Sequence, residues 1–190
     1  MLEKIKELDT DLFLYLNGKH NSFFDPIMYW ASDNLIWLPL FALITILLVK
    51  EYKNLSISIL IVIVMLIASC EQLTANLISN TVKRLRPSHE PALQKLIHLS
   101  EAGPGNQYAL VSSQAANIIG LTAFLFFLLP KKYNPLKWIF GFCAFLVAYS
   151  RIYNGLQYPI GVILAGFIGT ILAFIAINLL RYIFIRRLSY

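Results

Sequence analysis

Long apolar blocks constrain this chain more than any other feature. They run from Leu35 to Val49, Leu55 to about Val82, Leu110 to Leu129, Leu136 to about Ile152, and Leu156 to about Ile185. A helix that crosses a bilayer needs roughly 20 predominantly apolar residues. The shorter blocks reach that length by drawing in flanking residues such as Trp30 and Asn34, and by counting the interfacial rings of Trp138 and Tyr149. With 58% hydrophobic residues, 14% charged residues and a mean hydropathy of +0.65, the composition excludes an ordinary soluble domain. The fold class implied is all-α, a polytopic membrane helix bundle of about five transmembrane helices.

Ahead of the first block, MLEKIKELDTDLFLYL mixes charges with leucines and has no signal-peptide pattern. Leu2, Ile5, Leu8, Leu12, Tyr15 and Leu16 recur near helical spacing, as in an amphipathic helix. Such a helix either lies on the membrane surface or caps the bundle. Residues 1–190 read as a single membrane domain, with 1–33 interfacial, 83–110 an extracytoplasmic loop and 181–190 a basic cytoplasmic tail. That orientation follows from the density of Lys50, Lys53, Lys131, Lys132, Lys137, Arg181, Arg186 and Arg187 in short loops and the tail. The implied location is a bacterial inner membrane with the polar stations on its outer side.

A net charge of +6 raises the question of nucleic acid, but the cations sit at span ends and form no basic face. Nucleic acid is therefore excluded as a partner. Cys70 and Cys143 lie in apolar runs as packed thiols. His89 and His98 have no metal-ligand spacing to Asp, Glu or Cys, and His20 has no histidine or thiol near it in sequence, so no metal or cofactor is expected.

Polar residues inside the apolar blocks mark the candidate site. Gln72, Asn76, Ser79, Lys83 and Arg86 are spaced by steps of three and four, which predicts one polar face on the second span. Ser112-Ser113-Gln114 opens the third span, where serine caps the helix and free N–H groups favour an anion. Arg151 stands between two apolar segments, and a charge in that position marks a site by default. Gly161, Ala165, Gly169 and Ala173 repeat every fourth residue, a stripe that lets another helix approach closely.

The stations LRP at 85–87, VSSQAAN at 111–117 and SRIYNGLQYPIGVILAG at 150–166 come in the order and at the helix ends of a known family. The chain resembles the membrane branch of the type 2 phosphatidic acid phosphatase and haloperoxidase superfamily. The resemblance implies that Arg86, Ser112, Ser150 and Arg151 hold a phosphate, since they match residue by residue. It also locates departures. Ser79 stands at the family's lysine, Ser113 at its glycine, Gln114 at its acid histidine, Gln157 at its nucleophilic histidine and Gly161 at the orienting aspartate.

An amide nitrogen has no lone pair to attack with and does not titrate near neutrality, so neither glutamine replaces an imidazole. What the pattern keeps is a set of donors for an anion: Arg86, Ser112, Ser113, Gln114, Ser150, Arg151 and Gln157, with Lys83 able to replace the lost lysine. The leading expectation is a catalytically degenerate protein, a pseudoenzyme that binds the phosphate headgroup of a membrane lipid or serves in a membrane complex or homodimer. The alternative is a working phosphatase for phosphatidic acid, phosphatidylglycerol phosphate, lipid A or isoprenyl diphosphate, with groups relocated to Lys83, His89 or His98.

Overall fold

The computed structural model describes residues 2–188 except 34, 102 and 109. Helices account for every apolar block, and among the described residues there is no strand, only an isolated antiparallel bridge between Leu85 and Tyr108. The order is α1 Leu2–Asn17, α2 Phe24–Ser32, α3 Leu38–Tyr52, α4 Ser56–Glu71, a π-helical stretch Gln72–Ser79, α5 Asn80–Val82, α6 Ser113–Leu128, α7 Asn134–Tyr153 and α8 Pro159–Leu188. The protein is an all-helical membrane bundle.

Among the described residues three segments are long and apolar enough to cross a membrane: Leu38–Ser79, Lys131–Tyr153 and Pro159–Ile183. The first is 42 residues long, about twice what one crossing needs. Lys53, at φ 48°, breaks it, and α3 turns back into α4. The 16-residue α6 is shorter than a spanning helix and lies buried among its neighbours.

The N-terminal helix is amphipathic and packs on the bundle. Ile5, Leu8, Leu12 and Tyr15 are exposed along one face, while Asp9, Phe13 and Asn17, four residues apart, are buried on the other. Asn17 Nδ2 donates to the carbonyls of His98 (2.9 Å) and Tyr153 (2.7 Å), and its Oδ1 accepts from the His98 N–H at 2.7 Å. One side chain thus joins α1 to the end of α7 and to the 83–110 loop.

The small-residue stripe does what its spacing implies. Gly161, Ala165, Gly169 and Ala173 are buried, and a Cβ on Gly169 would stand 2.5 Å from the Ala116 carbonyl and 2.9 Å from the Gly120 nitrogen. Only glycine lets α8 come this close to α6.

The expected polar face on α4 does not form. In the π-helical stretch each turn takes an extra residue, so the 3.6-residue period is lost at Gln72. Gln72 and Asn76 bond each other at 2.8 Å on an exposed surface, while buried Ser79 donates to the Thr74 carbonyl, five residues back, at 2.7 Å. Lys83 then ends the helix in the left-handed region (φ 49°) and is exposed.

At one end of the bundle Lys132 pairs with Glu51 at 2.6 Å, Tyr133 donates to the same carboxylate, and Arg181 donates to the Phe127 carbonyl. The three polar stations gather at the other end. Residues 189 and 190 of the basic tail lie outside the described residues.

Candidate functional site

Three helix ends meet here: the N-terminus of α6, the C-terminus of α7 and the N-terminus of α8. Ser112 is the N-cap of α6, its hydroxyl accepting from the Ala115 N–H at 3.3 Å, and its own N–H donates to the Gly161 carbonyl. Gln157, 1% exposed, donates Nε2 to the Leu110 carbonyl at 3.0 Å. These bonds tie the start of α8 to the start of α6. A Cβ on Gly161 would collide with the Leu110 carbonyl and the Gln157 amide, so the backbone there has no room for a side chain.

Arg86 arrives from the opposite direction. Its N–H donates to the Gln107 carbonyl at 3.0 Å, and its Nη1 reaches the Leu156 carbonyl at 3.5 Å. Gly105, at φ 66°, packs so tightly against this guanidinium that a Cβ would lie 2.9 Å from Nη1. Arg151 projects from the last turn of α7 and donates Nη1 to the Ser32 hydroxyl at 3.0 Å. Arg86 lies near enough to Arg151 for the two positive charges to repel.

Both guanidiniums have a buried Nε–H without a hydrogen-bond partner, and among the described residues neither has a carboxylate at ion-pair distance. Burial pulls Arg86 below its ordinary value, the direction set by desolvation of a cation. An anion between the two would satisfy the orphaned donors and offset the repulsion.

Ser32 of α2 organises the rest. Its carbonyl accepts from Gln114 Nε2 at 2.9 Å, and its hydroxyl receives Arg151 and stands 3.4 Å from the Ser150 hydroxyl. Ser150, fully buried, also donates to the Val147 carbonyl at 2.7 Å. Ser113 and Gln114 line a cavity of about 180 Å³ with Glu71, Asn117, Trp37, Ile118 and Val147, and Asn117 donates to Glu71 at 3.2 Å.

The structure therefore brings together Arg86, Ser112, Ser113, Gln114, Ser150, Arg151 and Gln157. It leaves Ser79 bonded within its own helix and Lys83 exposed at a helix end. The histidines considered as substitutes are engaged elsewhere, His89 beside the Ser88 hydroxyl at 3.2 Å and His98 stacked on His20 at 4.0 Å.

Sequence reasoning missed Ser32, for which YWASDN gives no signal. It also missed the partnership of Arg84 with Asp9, at 2.6 Å, beneath which the Tyr158 ring lies 3.7 Å from the guanidinium. A signal existed there, since Asp9 shares a helical stripe with Phe13 and Asn17. Asp9 Oδ1 in turn accepts from the Ile160 N–H at 2.9 Å, capping α8 from outside the helix.

The family model of the PAP2 superfamily matches residues 56–185. The chain is 32% identical over 182 residues to a lipid A 4'-phosphatase of Bacteroides thetaiotaomicron, covering 93% of this chain and 80% of that protein. It is 27% identical over 158 residues to a lipid A 4'-phosphatase of Porphyromonas gingivalis, covering 83% and 66%. Among solved structures, LpxE of Aquifex aeolicus superposes with a TM-score of 0.65 at 22% identity, covering 90% of this chain and 95% of that one. A transmembrane PAP2-type phosphatidylglycerolphosphate phosphatase of Bacillus subtilis gives 0.68 at 19% identity, covering 93% and 86%. These superpositions show a shared fold.

Proposed function

Because the chain belongs to the PAP2 superfamily, we propose that it is a lipid-phosphate phosphatase of the membrane whose Arg86 and Arg151 grip the phosphate headgroup of a glycolipid or phospholipid, lipid A being the best-supported substrate. The observation that carries this reading is the pair of buried Nε–H groups without hydrogen-bond partners on Arg86 and Arg151, neither of which has a carboxylate at ion-pair distance among the described residues. The names of the relatives support hydrolysis over the binding-only reading that the substitutions suggest by themselves.

Hydrolysis here needs groups other than residues 114 and 157, because amides neither attack phosphorus nor transfer protons near neutrality. Glu71 is the carboxylate that lines the cavity with Ser113, Gln114 and Asn117. The lining of that cavity includes neither arginine, so Glu71 would take a proton from an attacking water only with the bound phosphate reaching from the guanidiniums into the cavity, the departing oxygen drawing its proton from solvent. The lysines and arginine of the short loops and last helix at the far end of the bundle, Lys132 and Arg181 among them, support a cytoplasmic assignment for that end and an outward-facing pocket in a bacterial inner membrane.

The test uses the full chain in detergent micelles with lipid A, phosphatidic acid and phosphatidylglycerol phosphate, and reads both released phosphate and protection from thermal unfolding by orthovanadate. Release that disappears in Arg151→Ala and falls in Glu71→Gln supports the phosphatase. Protection that Arg151→Ala removes, without any release, supports the pocket that only binds. Absence of both defeats the reading.

A further inference from the structure

A second polar cluster lies outside the pocket, where the α1–α2 turn meets the 83–110 loop. His20, Asp25 and His98 each present a ligand atom, all within 4.8 Å of one another. We infer that these three residues form a site for a divalent ion of the zinc type, which fastens the 83–110 loop to α2.

The donor chemistry selects the metal. Two imidazole nitrogens and one carboxylate oxygen suit zinc, which takes three protein ligands and leaves a fourth position open. Magnesium and calcium prefer oxygen alone. Ligands about 2.0–2.1 Å from a tetrahedral ion stand about 3.3 Å apart. His98 Nε2 and Asp25 Oδ1 are 3.3 Å apart.

The two better-buried ligands are held in advance. His98 is fixed through its backbone, since Asn17 bonds both its N–H and its carbonyl. Asp25 is fixed by Tyr153, whose hydroxyl donates to Oδ1 at 2.6 Å and accepts from the Asn21 N–H at 3.0 Å. A carboxylate oriented in this way by an outer hydrogen bond is a common feature of metal sites. His98 Nε2 is buried and makes no hydrogen bond, its contact with Asp25 Oδ1 being an ion-pair distance of 3.3 Å that an ion between the two would bridge.

His20 supplies the adjustable ligand. Its ring lies parallel to that of His98, at 4.0 Å with 4° between the planes. The in-plane lone pairs of two parallel rings do not meet at one point, so binding turns the His20 ring. Its exposure leaves it free to turn. Asp25 and His98 also line an adjoining cavity of about 430 Å³, through which a water or small ligand can reach the open position.

An ion here would act on the phosphate pocket through α2. That helix carries Asp25 at one end and Ser32 at the other, and Ser32 holds Gln114 and Arg151. The role is positional, and the site stands whether or not the pocket hydrolyses lipid.

The test takes the full chain without a histidine tag, stripped by a chelator, and titrates it with Co²⁺ and then Zn²⁺. The expected result is one equivalent of Co²⁺ with the intense visible absorption of a tetrahedral site, displaced by Zn²⁺. His20→Ala and His98→Ala should each weaken binding by at least about tenfold, while His89→Ala leaves it unchanged. His20 is exposed, so its variant is informative even if His98→Ala folds poorly. Uptake that His20→Ala does not alter, or no uptake at micromolar free metal, overturns the site.

Discussion

The contact between Asp9 and Arg84 makes a quantitative prediction about what holds α1 to the bundle. The carboxylate side chain has no exposed surface and the guanidinium 15%, at a separation of 2.6 Å. Asp9→Ala leaves Arg84 without its counter-ion and removes the acceptor of the Ile160 N–H. Breaking a buried pair from one side costs 3–5 kcal/mol, and the partial exposure of Arg84 points to the lower end, about 3 kcal/mol. The orphaned N–H at the start of α8 adds about 1 kcal/mol. A total of about 4 kcal/mol corresponds to a fall in Tm of roughly 8–16 °C for a chain of this size. Arg84→Ala loses the same pair and its contact with the Tyr158 ring, itself worth about 0.5–2 kcal/mol. The double variant should be far less unstable than the sum of the two, with a coupling energy of about 2–3 kcal/mol, because neither charge is then left alone. Tryptophan fluorescence during thermal unfolding in micelles reads all four corners of the cycle. A coupling energy below about 1 kcal/mol, the value of an exposed pair, would refute the claim that this pair is buried and structural.

Other perturbations follow from close approaches. Gly169→Val drives a side chain into the Ala116 carbonyl and the Gly120 backbone, so it should lower stability by about 1–3 kcal/mol or more. Ile171→Val, on the exposed side of the same helix, should stay within about 0.5 kcal/mol, and unfolding in the same micelles compares the two. Asn17→Ala strips hydrogen bonds from His98 and Tyr153 and should cost about 2–3 kcal/mol, with faster hydrogen exchange in the 83–110 loop. Gly105→Ala, at a positive φ and against the Arg86 guanidinium, should weaken orthovanadate protection several-fold and lower Tm by roughly 2–4 °C.

Much of the fold was legible because it depends on local spacing. The apolar blocks gave the helices, and the four-residue repeat of Gly161, Ala165, Gly169 and Ala173 gave the tightest helix contact. The three polar stations were legible as motifs, and their helix-end positions foretold that they meet. The α4 face failed because a π-helical stretch carries no distinct sequence signal, and once it begins at Gln72 the register that would align Asn76, Ser79 and Lys83 is lost. The links made by Asp9, Asn17 and Ser32 were illegible for a different reason. Each joins segments far apart in sequence through one hydrogen-bonding side chain, and periodicity reports only neighbours. The pairing of His20 with His98 belongs to the same class, since ligand spacing along the chain says nothing about two loops folded together.

The glutamines also have a positive role. Gln157 donates to the Leu110 carbonyl while Ser112 donates to the Gly161 carbonyl, and together they fasten the first turns of α6 and α8 on either side of the pocket. An imidazole at 157 could make that bond in only one neutral tautomer or when protonated. The amide makes it at any pH the protein meets. The geometry around Arg86 and Arg151 is therefore uncoupled from proton uptake, and anion affinity should vary with pH through the ligand's own second ionisation, near pH 6 for a phosphomonoester. Hydrolysis run without an imidazole would lack the descending limb that an acid histidine imposes on the pH–rate profile. A bell-shaped profile centred near neutrality would instead require a histidine in the reaction, and would place the chemistry outside the residues that line this pocket.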